Sequence, residues 1–262
     1  MEVKSQLKVT LLSVKYALMR EMLNKTTFLT NITFMILNNA SFIIQWIILY
    51  SIKDNVGGYT LKQVLLLWGL AASTFGISRF FFKNAFSLSD TINNGKLDSY
   101  LVQPKNVLIS AITSNVEASA IGDLIYGYIM LAVYGINISN FIMFTFFSIM
   151  GGFVLSAVAV ILGSLSFWFN KTDVIADVGN SLCTNFATYP DGIFKGAAKI
   201  LLYTLIPVGL INYLPIRIIT DFNLGLLLIV SVFMIGIILL AFLVFYKGLK
   251  RYSSSNLMSA RV

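Results

Sequence analysis

Histidine is absent from this 262-residue chain, and cysteine occurs once, as Cys183. Without histidine the chain lacks the commonest general base and metal ligand near neutral pH, and one thiol excludes an internal disulfide. The eleven acidic residues are scattered, so a carboxylate metal site is not expected either. Charged residues make up 11% of the chain, against about 25% in a soluble domain. No G-x-x-x-x-G-K-[S/T] phosphate loop, dinucleotide fingerprint, zinc motif or G-x-S-x-G elbow is present. The chain by itself is therefore expected not to be an enzyme and to bind no nucleotide, cofactor or metal.

What remains is apolar: 57% of residues are hydrophobic, too many for a surface facing water, so the solvent is lipid. A membrane helix needs roughly 20 apolar residues. Five clear runs and one broken region fill nearly the whole length, leaving no room for a soluble domain. The expected fold is a single all-α transmembrane domain over 1–262 with six transmembrane helices. An interfacial amphipathic helix is expected at 1–25, a cytoplasmic loop at 83–105, and outer re-entrant half-helices at 189–221 before the last span. The basic N-terminus is too long for a signal peptide. The formal net charge is +8. With both termini in the cytoplasm, most of the 19 basic residues fall on that side, as the positive-inside rule requires. The excess reads as topology and contact with anionic lipid, not nucleic-acid binding.

In chain order, Val3, Leu7, Leu11, Val14, Leu18 and Met22 recur at helical spacing beside Lys4, Lys8 and Lys15, which predicts an interfacial helix. The first crossing is expected over about 28–50. Asn24, Asn31, Asn38 and Gln45 recur every seven residues, close to one face. An amide facing lipid lacks partners, so this face is expected to look into the bundle or a wet cavity. It either bonds neighbouring helices or walls a substrate path. The second crossing, about 61–82, carries the small-residue pairs Gly69/Ser73 and Ala72/Gly76, which suit close helix packing. The third, about 107–136, contains Glu117 and Asp123, six residues apart and so on different faces. Glu117 is expected to pair with Arg79 or to meet a cationic substrate. A fourth crossing follows at about 141–169. The second cytoplasmic loop includes Lys171, Thr172 and Asp173, with Thr172 or Asp173 able to cap the next helix. From 178 to 221 the pattern breaks. Three of the four prolines lie here, at Pro190, Pro207 and Pro215, and Tyr189-Pro190-Asp191-Gly192 reads as a turn. A fifth crossing at about 174–188 and then half-helices are expected, before a sixth crossing at about 223–246 and a basic tail.

The longest polar interruption runs from Lys83 to Lys105. Asp90 or Thr91 can cap a short helix there, Gly95 interrupts it, and Pro104 ends the segment. Such an element suits a lever pushed by another protein. A loop that only connects is the competing reading.

Ile92, Gly95, Leu97, Asp98, Leu101 and Pro104 fit the pattern I-x-x-G-x-L-D-x-x-L-x-x-P. With Tyr189, Pro190, Ile193 and Phe194 on the outer side, and Gly248, Leu249, Arg251, Tyr252 and Ser253 at the end, the chain resembles the type-2 permease subunits of ATP-binding-cassette transporters. The resemblance implies a coupling helix at 83–105 seated on a separate ATPase. Asp90, Ile92, Gly95, Lys96, Leu97, Asp98, Tyr100, Leu101 and Pro104 would serve that contact. Lys171, Thr172 and Asp173 would make a second one, and Asn31, Asn38, Gln45 and Glu117 would line the pathway. It also implies two ATPase subunits, which bind the ATP and Mg, and a second permease, identical or related. The setting would be the bacterial cytoplasmic membrane. Export of a hydrophobic or amphipathic compound such as a drug, peptide or lipid is the default. The other class of reading is a stand-alone ion-coupled carrier or a structural or immunity-type membrane protein. A carrier would be favoured by inverted repeats with matching broken helices, and only one half shows a break.

Overall fold

The computed structural model describes residues 2–169 and 172–253. All of its regular elements are helical: α1 (Glu2–Glu21), α2 (Lys25–Tyr50), α3 (Leu61–Phe82), α4 (Leu88–Asn93), α5 (Asp98–Leu101), α6 (Val107–Ile112), α7 (Ala120–Tyr134), α8 (Ile138–Ser164), α9 (Asp173–Phe186), α10 (Gly196–Tyr203), α11 (Leu214–Thr220) and α12 (Leu224–Leu249). Among the described residues, four stretches are long and apolar enough to cross a bilayer: Lys25–Tyr50, Leu61–Asn93, Ile138–Phe167 and Leu224–Leu249.

α3 is the central post. Its apolar window is 78% buried, against 17% for α2 and for α12. It packs between α7 and α8, and its small residues allow the approach: a Cβ on Gly69 would stand 2.6 Å from the Met130 Cβ. The pairs Gly69/Ser73 and Ala72/Gly76 thus lie where packing requires them. Side-chain caps set several starts. Asn24, Asn137 and Asn223 each accept a backbone N–H from three residues ahead, and Thr60 with Gln63 closes a capping box.

The third expected crossing is not one helix. It is broken between α6 and α7, and Glu117 sits in the break. Thr113 and Ser114 donate their hydroxyls to the carbonyls of Ile109 (2.7 Å) and Ala111 (2.9 Å), and the Val116 N–H donates to Asn115 Oδ1 (3.1 Å). Three successive polar side chains therefore compete for local backbone groups and interrupt the helix. α7 has 15 residues, about 22 Å at 1.5 Å per residue, short of a ~30 Å hydrocarbon core. α9, where the fifth crossing was expected, has 14 residues.

The 189–221 region is divided into α10, a π-helical stretch at Gly209–Tyr213 and α11. It is well packed: Val208, Tyr213 and Ile218 are fully buried. Asn212 Nδ2 donates to the Ala187 carbonyl (2.8 Å) and Tyr213 to that of Phe186 (2.7 Å). These bonds satisfy the carbonyls that α9 leaves free at its C-terminal end.

α1 corrects the expected stripe. Val14 is buried with Ala17, and Leu18 partly so, but Leu7, Leu11 and Met22 are exposed beside Lys4, Lys8 and Lys15. The Val3 side chain lies outside those described. The docked face is polar as well as small. Ser5 accepts from Lys105, Gln6 accepts from the Asn106 N–H (2.9 Å), Ser13 donates to the Thr113 carbonyl (3.2 Å), and Arg20 donates to Asn115 (2.6 Å). Tertiary hydrogen bonds to the start of α6 and its broken end, absent from any one-helix pattern, decide the rotation of α1.

Candidate functional site

The loop after α3 begins with a 3-10 stretch at Lys83–Ser87 and continues into α4. Asp90 and Thr91 do not cap α4. Its N-cap is Ser87, without a side-chain cap bond, because the start of α4 is pressed against Gly163 of α8. A Cβ there would stand 2.9 Å from the Leu88 Cβ and 3.2 Å from the Ser89 nitrogen. Asp90 instead accepts from Asn94 and from Lys96 Nζ (2.7 Å), across the turn made by Gly95 at φ +69°. A left-handed φ is costly for any residue with a Cβ.

The expected coupling residues divide into three groups. Ile92 and Leu97 are buried with Leu88, Leu108 and Phe245 in one apolar cluster. Asp90, Lys96, Leu101 and Pro104 are exposed, as is Val102, the most exposed apolar side chain of the loop. Gly95, Asp98 and Tyr100 are half-buried. Asp98 accepts from Tyr252 (2.8 Å), and Tyr100 donates to Ser114 (2.9 Å). So the buried residues hold the loop to the bundle, and the exposed ones face outward.

Of the second contact, Lys171 lies outside the described residues. Thr172 is buried, and its hydroxyl bonds that of Ser166. Thr172 is the N-cap of α9 but makes no side-chain cap bond. Asp173, in the first turn of α9, accepts from Ser89 and from Asn93 Nδ2 (3.3 Å), both on α4. The two loops are thus joined. Sequence spacing gave no sign of Ser89 or Asn93, which are 84 and 80 residues from their partner.

Asn31, Asn38 and Gln45 are exposed on α2, turned away from the chain's own bundle. The packed face carries Asn39, Ile43 and Trp46 instead. Asn39 Nδ2 donates to Asp123 Oδ1 (2.6 Å), so the neighbouring amide, not one of the seven-residue series, makes the buried bond. Glu117 is half-buried, with an oxygen 3.9 Å from Arg79 Nη1. Near Arg79 a cleft of about 460 Å³ opens between the end of α3, the loop and α9. Arg79, Lys83, Asn84, Asp177, Asn180 and Ser181 are among its walls. Cys183, one turn beyond Asn180, faces the packed side of α9 and is 4% exposed.

At the far end of the molecule, Asp191 is the centre of a second polar cluster. Its side chain is 3% exposed. Oδ1 accepts from Tyr59 (3.1 Å), and Oδ2 from Tyr203 (2.8 Å) and Arg217 (3.0 Å), with Lys199 Nζ at 3.1 Å. Burial alone would raise the pKa of this carboxyl. The Tyr203 hydroxyl, Lys199 and Arg217 outweigh it, and hold the group below the usual carboxylate range. The turn carrying Asp191 lies against the α2–α3 loop so closely that a Cβ on Gly192 would fall 1.9 Å from the Gly57 carbonyl oxygen.

Among the described residues no group of three or more His, Cys, Asp or Glu stands close enough to hold a metal ion. The family model described as ABC-2 family transporter protein matches residues 35–256. No curated relative and no solved structure matches the chain.

Proposed function

The chain belongs to the ABC-2 family of transporter proteins, and from that premise we propose that it is the membrane-spanning permease subunit of an ATP-driven exporter of a hydrophobic or amphipathic compound. Two separate ATPase subunits bind ATP and Mg and dock on the loop between α3 and α6. The exposed set Asp90, Lys96, Leu101, Val102 and Pro104 meets them. A second permease, identical or related, completes the membrane part, with both termini on the cytoplasmic side of a bacterial cytoplasmic membrane. Asn31, Asn38 and Gln45, which cannot be satisfied by lipid, face the path shared with that second permease.

The observation that carries this reading is the bond set from Asp173 to Ser89 and Asn93. It ties the loop an ATPase would press to α9, whose Asn180 and Ser181 line the cleft. ATP acts by favouring one arrangement of the ATPase pair over the other, and displacement of α4 carries the start of α9 with it. Because Ile92 and Leu97 are sunk in the bundle, the push is delivered to packed side chains and not absorbed by a loose loop.

The test is co-purification with the ATPase encoded beside this chain, together with ATP hydrolysis and substrate efflux. Val102→Asp is expected to abolish ATPase retention. Asp173→Ala is expected to retain the ATPase and its hydrolysis while efflux falls at least tenfold. Full efflux by the chain in vesicles that lack any ATPase would sink the reading.

A further inference from the structure

We infer that the cleft beside Arg79 is a binding site for the head of an amphiphile that carries a phosphate ester together with a hydroxyl or ammonium donor. The inference rests on the exporter reading and names the substrate chemistry that its inward-facing site accepts.

Phe75 and Arg79, one turn apart on α3, and Lys83, where the 3-10 stretch after α3 begins, all line one wall of the cleft. Polarity along it rises toward the loop, from a phenyl ring to a guanidinium to an ammonium. That is the order of an amphiphile lying with its apolar part deep and its head near the membrane surface. The opposite wall, on α9, is ordered too: Asp177 stands nearest the loop, and Asn180 one turn deeper.

Arg79 has unspent donors. Among the described residues it makes no hydrogen bond and its Nε is buried without a partner; of its acid neighbours Glu117, Asp177 and Asp123, only Glu117 comes within 4 Å, at 3.9 Å. A guanidinium offers five N–H groups in a planar fork that matches two phosphate oxygens. This fork is held in place by rings, with its carbon 4.0 Å from the centroid of Phe86 and 5.1 Å from that of Phe75. Cation–π contacts of this kind fix a guanidinium without consuming its in-plane donors. Asn180 supplies the complementary feature. It is 6% exposed, and its Oδ1 has no donor. A buried acceptor left empty is costly, and a hydroxyl or ammonium on the ligand satisfies it, with Asp177 beside it at the mouth. A purely basic pocket would accept any anion. The pairing of free donors with a free buried acceptor selects a head that carries both.

The test uses the full chain in phosphatidylcholine nanodiscs, with retention counted by native mass spectrometry. The probes are dioctanoyl phosphatidylethanolamine and dioctanoyl phosphatidylglycerol, dioctanoyl phosphatidylcholine as the head without a donor, and inorganic phosphate. The first two are expected to saturate at one per chain, at least tenfold more tightly than the last two. Arg79→Gln should weaken them at least tenfold, with Arg79→Lys intermediate because it keeps the charge and loses the fork. Arg217→Gln, at the far end, should leave them unchanged. If Arg79→Gln prevents folding, Lys83→Gln and Asn180→Leu carry the test, each expected to weaken binding at least threefold. Unchanged affinity in the cleft variants overturns the site. Inorganic phosphate binding as tightly as the amphiphiles overturns the substrate class. None of these readouts involves the ATPase, so a failure here is distinct from failure of the exporter reading.

Discussion

The two ends of the molecule are held by opposite means. Near α4 the ties are many, single and spread over four partners. Asp173 bonds Ser89 and Asn93, Tyr252 bonds Asp98, Tyr100 bonds Ser114, and α1 bonds Lys105 and Asn106. Several engage a carboxylate or an ammonium, but at half-buried or exposed positions, so each contributes about 1 kcal/mol net, laid over an apolar base of Leu88, Ile92 and Leu97. At the other end one buried carboxylate gathers two tyrosines and two cations. The first arrangement can give way one contact at a time while its base stays intact. The second holds as a unit, since four donors share one buried carboxylate.

The comparison breaks most visibly if the apolar base is not what holds the α4–α5 loop. Leu97→Ala, at a fully buried site, is expected to cost about 3 kcal/mol, read as a lowered unfolding transition of the detergent-solubilised chain. A cost below about 1 kcal/mol would mean that the polar ties do the holding. Asp191→Asn is expected to cost about 2 kcal/mol, less than a fully buried ion pair because Lys199 and Arg217 are partly exposed. Lys199→Gln should then lose most of its own effect in that background, because the two residues share one interaction. Tyr252→Phe should cost about 1 kcal/mol and leave the other ties in place, detectable as faster proteolysis within 94–105 without a change at 189–195.

The smallest effect sharpens the contrast by pH. Asp191 titrates below its ordinary value when folded, so its contribution is present above the usual carboxylate pKa of about 4 and is lost as pH falls through the lower folded value. From pH 7 to 5 this group should contribute no change. Below about 4, wild type should lose stability that Asp191→Asn has already lost, and the two curves should converge. Parallel curves down to the lowest pH would remove the carboxylate from its place at the centre of that polar cluster.

Periodicity and punctuation carried part of the coarse plan: a helical first segment, the breaks between α3 and α6 and across 189–221, and the close-packed small residues. They did not say which neighbour covers a face. Asn31, Asn38 and Gln45 do share a side of α2, but the packed side belongs to Asn39, whose partner Asp123 is 84 residues away. The run Thr113-Ser114-Asn115 held the signal for the helix break, in side chains able to bond their own backbone. The surrounding hydrophobicity obscured it. Asp191 reads as a turn residue because its donors come from Tyr59, Tyr203, Lys199 and Arg217. Only folding brings these together. The same holds for Asp173 and the loop it secures.

Cys183 turns the packing of α9 into a measurement. It is the chain's sole thiol, and the bundle covers it. A maleimide offered to the protein should therefore react slowly at rest, and any acceleration must report α9 moving away from its neighbours. No cysteine-free background has to be engineered first.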